Sequence, residues 1–149
     1  MSSEAAAVDL SGIIPSETTV FEIKQPGTGE ATGWKITLAG PSHQKAIAYS
    51  NDSARRTLRR QHQIEAQQAN GKKVKPDERT VDEVRADNVA WVVSRIVDWT
   101  PVKIGNIEYR FTDETATELL LQPKMGWALM QLIDAIADDA TFTSASATN

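Results

Sequence analysis

Val89-Ala-Trp-Val-Val-Ser-Arg-Ile-Val-Asp-Trp99 heads the stretch, ending at Phe142, in which this chain concentrates its large apolar side chains. Val89, Trp91, Val92, Val93, Ile96, Val97 and Trp99 are apolar at helical spacings on more than one face, which predicts a helix at the centre of a small core. Thr80 offers a capping hydroxyl and Glu83 stands at the capping-box position, so this helix is predicted from Thr80 to Trp99. Thr100-Pro101 ends it, because proline disfavours helical geometry at the residue before it. Val102, Ile104, Ile107, Tyr109 and Phe111 then read as a short hairpin around a glycine-first Gly105-Asn106 turn. Thr112 caps a short helix carrying Leu119, Leu120 and Leu121, which stops before Pro123. A final helix from Lys124 presents Trp127, Met130, Leu132, Ile133 and Ile136 at helical period, and Phe142 closes the core.

Working upstream, Trp34, Ile36 and Leu38 alternate before Gly40-Pro41, and Val20, Phe21 and Ile23 precede them across the turn-rich segment from Pro26 to Gly33. That pattern predicts a half-buried β-hairpin whose apolar face needs covering, since an isolated hairpin is marginal in water. Ser42 is placed to cap a helix running to about Asn70 and ended by Gly71. Its first half carries Ile47, Ala54 and Leu58, whereas Arg59 to Asn70 offers only Ile64 and alanines. The second half therefore buries little and is predicted to project from the body as an arm.

The predicted fold class is α+β, mainly helical: an N-terminal β-hairpin, two long helices, a short second hairpin and two C-terminal helices around one small core. Residues 1–17 read as a flexible N-terminal arm, and 18–142 as a single domain with a protruding basic helix around 55–75. Residues 143–149 read as a disordered tail. A length of 149 residues suits one domain, and the 40% hydrophobic and 24% charged fractions suit a soluble globular one. No apolar run reaches the roughly 20 residues of a membrane helix, and the N-terminus lacks the features of a signal peptide, so the expected location is the cytoplasm.

The absence of cysteine excludes disulfides, thiolate metal sites and thiol nucleophiles together. His43 and His62 lie 19 positions apart on one predicted helix, about 28 Å at ~1.5 Å per residue, too far to share a metal. His62 and Glu65 share a helix face, but in the reverse of the usual carboxylate-histidine order and without a second such pair. Asp138-Asp139 and Asp113-Glu114 raise the question of paired carboxylates. Adjacent helical residues point apart, however, and Asp113-Glu114 suits the positive end of a helix dipole. Gly27, Gly29 and Gly33 lack the spacing and the following helix of a phosphate loop. The four tryptophans sit among Val, Ile and Leu at core spacings, as suppliers of buried area. No catalytic, metal or cofactor site is predicted.

Charge distribution is the stronger signal. Although the net charge is −4, the segment Lys45 to Lys75 sets eight basic residues against two acidic, a net +6, while Phe111 to Asn149 sets one against six, a net −5. Arg55, Arg56, Arg59 and Arg60 form a basic stripe able to track phosphates, yet no aromatic residue is interleaved with them, so a solvated face or a site for an acidic protein partner is favoured over nucleic acid. Opposite charge at the two ends also suits head-to-tail association of copies.

In order, Trp34-Lys-Ile-Thr-Leu-Ala-Gly-Pro-Ser after Gly-Thr-Gly-Glu, the arginine-rich helix, Asn88-Val-Ala-Trp91 to Val97-Asp-Trp99, the Gly105 hairpin and the Leu-rich helices ending in Ala140-Thr-Phe142 resemble tail assembly chaperones of tailed bacteriophages. The likeness spans roughly Thr18 to Phe142 and rests on the order of elements with short aromatic and glycine landmarks. The resemblance implies a non-enzymatic protein of the host cell cytoplasm, without cofactors, that coats the tape-measure protein, keeps its hydrophobic helices soluble and recruits tail tube subunits. It also implies absence from the finished virion, and often a frameshifted longer form. The candidate partner-binding residues are Arg55, Arg56, Arg59, Arg60, Trp127 and Met130, with an apolar groove expected near the final helix. A structural subunit of the tail or connector, or a nucleic-acid-binding regulator, is the alternative.

Overall fold

The computed structural model describes residues 6–73 and 79–143, so the predicted tail from residue 144 onward and part of the predicted basic link lie outside the described residues. Within them the chain is mixed α+β, with four α-helices and two small antiparallel sheets. Strands β1 (Thr18–Lys24) and β2 (Ala31–Ala39) form the predicted hairpin, followed by helix α1 (Gln44–Ala69), helix α2 (Val81–Val93) and strand β3 (Ile96–Trp99). The second hairpin is β4 (Val102–Ile104) with β5 (Ile107–Tyr109), and helices α3 (Asp113–Leu121) and α4 (Gly126–Ala137) complete the body.

The largest departure from the predicted elements falls between Val89 and Trp99. The second long helix stops at Val93, and Ile96 to Trp99 forms a third strand on the free edge of β2, with Ile36 opposite Trp99 and Leu38 opposite Ile96. Ser94 and Arg95 make the turn between helix and strand: the Ser94 hydroxyl donates to the Trp91 carbonyl, and the Arg95 N–H donates to Val92 O at 2.9 Å. Ala39 N–H then donates to Arg95 O (2.6 Å) and Thr100 N–H to Lys35 O (2.9 Å), extending the ladder at both ends. The β-branched pair Ile96-Val97 fits a pleated surface as well as a helix, and the unpaired edge of β2 decides between them.

On the sheet's inner face stand Ile23, Trp34, Ile36, Leu38 and Ile96, all buried. The predicted alternation of Trp34, Ile36 and Leu38 is thus realised, while Val20 points outward at 58% exposure. Val89, Val92 and Val93 of α2, Leu119 and Leu120 of α3, and Leu129, Leu132 and Ile136 of α4 cover that face, with Phe142 closing one side. Trp99 contacts Trp34 and Phe111 edge to face at centroid distances of 5.2 and 5.3 Å, and its indole N–H donates to Tyr109 O at 3.1 Å. Trp91 and Val97 are only half-buried, so the run is not apolar core throughout.

Smaller differences concern helix ends. His43 rather than Ser42 caps α1, its Nδ1 accepting from Lys45 N–H. A 3-10 turn at Pro123–Met125 precedes α4, which starts at Gly126 rather than Lys124. Thr80 and Thr112 cap α2 and α3 as predicted, accepting from Glu83 and Thr115 N–H. Gly105 takes φ +59 in the β4–β5 turn while no non-glycine residue among the described ones has positive φ, the pattern of a glycine-first turn.

The segment before β1 is exposed apart from Ser16 and its neighbours at the sheet. Ser16 N–H donates to Phe142 O at 2.5 Å, and Gly40 N–H to Glu17 O at 2.7 Å. A Cβ on Gly40 would collide with the Ser16 carbonyl oxygen, so this position accepts no side chain without moving backbone. Gly40→Ala is therefore expected to cost about 1–3 kcal/mol of stability, read as a lower urea midpoint at unchanged slope.

Candidate partner-binding surface

Helix α1 is 26 residues long, about 39 Å at ~1.5 Å per residue, and Ala46 is its only buried residue. Ile47 and Leu58, predicted to pack the first half, are 45% and 57% exposed. The projecting arm thus begins near the root of the helix, not midway. At its far end Asn70 is the C-cap and Gly71 takes φ +76, with Gly71 N–H donating to Gln68 O and Lys72 N–H to Gln67 O. This paired bonding closes the helix with a glycine in the left-handed region, so the predicted basic helix ends at Ala69, before residue 75.

Lys45 holds the root. Its Nζ donates to Ile96 O and to Asp113 Oδ1, both at 2.5 Å, and lies 5.0 Å from the Phe111 ring centroid. One ammonium thus ties α1 to the start of β3, to the first turn of α3 and to the aromatic cluster around Trp99. Its side chain is 26% exposed, and hydrogen bonds of this charge-assisted kind count for more than surface ion pairs.

Along α1 lie two open grooves, of about 680 and 520 Å³, the first reaching Trp91 of α2 and the second Arg79 ahead of α2. The larger is lined by Tyr49, Ser50, Ser53, Ala54, Thr57, Leu58 and Trp91, and the second by Arg56, Thr57, Arg60, Gln61, Ile64 and Arg79. Small side chains at Ala46, Ser50, Ser53, Ala54 and Thr57 recur every three or four positions, so α1 turns a low-relief face toward α2. On α2, Val81 and Val84 are 74% and 43% exposed, and Trp91 is half-buried beside them. The sequence reading missed this groove. Its signal was the small-residue period on α1 together with Val81, Val84 and Trp91 at i, i+3 and i+10 on α2.

The six sequence-predicted residues fall on two elements. Arg55, Arg56, Arg59 and Arg60 are on α1, and Trp127 and Met130 on α4. Taking Ser50 as the direction of the groove, ~100° per residue places Arg55, Arg59, Arg56 and Arg60 at about 140°, 180°, 240° and 280° around the axis. Arg55 and Arg59 therefore lie on the side of α1 turned away from Ser50, whereas Arg56 and Arg60 line the second groove. Arg55 Nη1 is 3.3 Å from Asp52, and Arg56 lies 5.6 Å from the Tyr49 ring centroid. At α4 the apolar stripe is spent in the core: Trp127 packs against it half-buried, and Met130 stands outward at 55% exposure. Beside the final helix lies a smaller concavity of about 290 Å³, lined by Phe21, Gln131, Asp134, Ala135, Asp138 and Thr141.

Elsewhere the ionisable groups serve structure. Arg95 Nε–H donates to Ala39 O at 2.7 Å and its guanidinium lies 5.2 Å from the Phe142 ring centroid, while burial lowers its pKa below the ordinary value. Among the described residues no three metal-ligating side chains converge, and no helix is long and apolar enough to cross a membrane. Neither a protein-family model nor a curated protein nor a solved structure matches the chain.

Lys45→Met keeps the stem of the side chain and removes both polar contacts. It is expected to cost about 1–2 kcal/mol and to speed hydrogen exchange in the first turns of α1 above that of the sheet. Equal acceleration in α1 and β2 would show that the lysine does not act as a local anchor.

Proposed function

We propose that the chain is a non-enzymatic phage tail assembly chaperone that binds the tape-measure protein and helps recruit tail tube subunits. The observation that carries this reading is α1, a long helix with one buried residue, facing α2 across a groove floored by Ala54, Leu58 and Trp91. A groove lined by Ala54, Leu58 and Trp91 suits an amphipathic client helix, which inserts its apolar stripe while its polar side stays in water. Leaving such a surface uncovered is unfavourable in a finished structure and useful in a protein that holds a client only during assembly. The resemblance in element order and aromatic landmarks supplies the identity of the client; the groove supplies a place for it.

The chemistry on the page supports binding over catalysis as the working mode. Asp113 is engaged by Lys45, and Asp138 follows directly on α4, so the two carboxylate clusters flagged in the sequence belong to helix ends. The arginine stripe of α1 is the one observation that favours a nucleic-acid reading. Such a regulator would bind DNA with an affinity that falls steeply with salt and is lost on changing Arg55, Arg56, Arg59 and Arg60 to alanine.

Co-expression with the neighbouring tape-measure gene is the decisive measurement. The tape-measure protein is expected in the soluble fraction with the wild-type chain and in the pellet with Leu58→Asp, an exposed position that lines the groove and lies outside the core. A tape-measure protein equally insoluble with and without the chain would overturn the reading. Finding the chain at stoichiometric level in purified particles would favour a structural subunit of the tail or connector instead.

A further inference from the structure

Thr57 lines both grooves along α1, so they meet at one side chain and differ in character on either side of it. Toward the root of the helix the lining is Tyr49, Ala54, Leu58 and Trp91 with small polar residues, and no charged group. Toward Asn70 it is Arg56 and Arg60 with Arg79 from ahead of α2, around Ile64, and none of the described lining residues is acidic. Two of these guanidiniums are held in place. Arg56 lies 5.6 Å from the centroid of the Tyr49 ring, which lines the first groove, and Arg79 Nη2 pairs with Asp87 of α2. The centres of the two linings on α1 are about six residues apart, or about 9 Å at ~1.5 Å per residue. Ile64 and the aliphatic stems of the arginines give the second groove an apolar floor, and the guanidiniums give it a cationic rim.

We infer that the second groove selects the client by charge: the helix that seats its apolar stripe at Leu58 and Trp91 carries acidic side chains to one side of that stripe, and these meet Arg56, Arg60 and Arg79. The inference rests on the reading of the first groove as the client site and adds the chemical class of the client to it. Arginine suits the task, because a planar guanidinium takes a carboxylate through two parallel N–H donors. The apolar floor suits it too, since it covers the methylenes of a glutamate while the rim takes the carboxylate. A phosphate backbone asks for something different, a row of cations facing one way. Here Arg55 and Arg59 are turned away from Ser50, and the third guanidinium comes from outside the helix. The arrangement therefore matches an acidic amphipathic helix more closely than a duplex. A neutral helix keeps only the apolar contact, and a helix with a basic flank is repelled, so the pair of grooves discriminates among apolar helices that the first groove alone would accept equally. The charged contact is open to water, so the selection weakens with ionic strength.

Fluorescence anisotropy of the full chain with three labelled synthetic peptides tests the inference. All three share one leucine stripe on an alanine-rich helix; about six residues beyond the stripe, the separation of the two groove centres, the first carries two glutamates, the second two glutamines and the third two lysines. At about 50 mM salt the glutamate peptide is expected to bind about tenfold more tightly than the glutamine peptide, and the lysine peptide more weakly than either, with the preference falling to about twofold at about 500 mM. Arg56→Gln/Arg60→Gln should abolish the preference and leave the affinity for the glutamine peptide unchanged, whereas Arg55→Gln/Arg59→Gln on the outer side should alter neither. Arg56→Glu/Arg60→Glu should reverse the order in favour of the lysine peptide, and circular dichroism checks that every variant keeps its helices. Equal binding of the glutamate and glutamine peptides, or a preference that depends as much on Arg55 and Arg59, would overturn the inference and leave the first groove standing as an apolar site. Failure of all three peptides to bind would overturn both. A glutamate preference beside a tape-measure protein that stays insoluble would support the charge selection and remove only the client named above. Displacement of the glutamate peptide by a short DNA duplex, lost in Arg55→Gln/Arg59→Gln, would assign the arginines to nucleic acid and overturn the inference.

Discussion

Strand β2 is paired on both edges, and the rest of the body is arranged around that constraint. One edge takes β1 from the adjacent hairpin, a local contact; the other takes β3, about 60 residues further on. Everything between those two strands, including the whole of α1 and α2, is a loop that the β2–β3 ladder closes. Closing it brings Trp99 against Trp34 and sets the Arg95 carbonyl to receive the Ala39 N–H. It also fixes the end of α2, because a chain that must enter the sheet at Ile96 has to leave the helix at Val93. The inner face formed by the three strands is then wide enough for α2, α3 and α4 to cover, which an isolated hairpin would not be.

Within that closed loop α1 is the exception. Its caps at both ends are well made, with His43 at the start and Gly71 at the finish, so the helix satisfies its own terminal backbone groups without help from the body. Its tertiary support is concentrated at one residue, Lys45, whose ammonium reaches the Ile96 carbonyl and Asp113. A helix of this length with small and polar residues is marginal alone. Covering its exposed apolar side chains, Ile47 and Leu58, and those of α2 beside it, would contribute on the order of 1 kcal/mol each. Apart from Ala46 and Lys45 at its root, α1 therefore contributes little to the core and keeps most of its surface exposed.

How much of this was legible in the sequence follows from which forces act locally. The alternation Trp34, Ile36, Leu38, the Thr80 and Thr112 caps, the Gly71 stop and the glycine-first turn at Gly105 are local signals, and each appears in the structure at its predicted place. The strand at Ile96 was hidden because Val-Ser-Arg-Ile-Val-Asp-Trp satisfies a helical period and a pleated one equally, and only the distant edge of β2 chooses. Burial of Ile47 and Leu58 was over-read for a similar reason: helical spacing of apolar residues shows that a face exists, not that the same chain covers it. The arginine band was visible as four residues, but its direction depends on which side of α1 faces α2. Trp91 reads as core by composition, and is a groove wall because α1 stands off from it. Lys45 gave no signal at all, since an anchoring lysine is distinguished only by the carbonyl and carboxylate it meets.

The four arginines of α1 do not share one direction. Arg55 and Arg59 are turned about 140° and 180° from Ser50 by helical period, whereas Arg56 and Arg60 line the second groove. Electrostatic contact at the arginines and apolar contact at Leu58 and Trp91 also respond differently to solution conditions: the first weakens with salt, and the second does not. The helix is thus anchored at one end, with Arg55 and Arg59 at i, i+4 on one side and Ser50, Ala54, Thr57 and Gln61 at three- and four-residue spacing on the other.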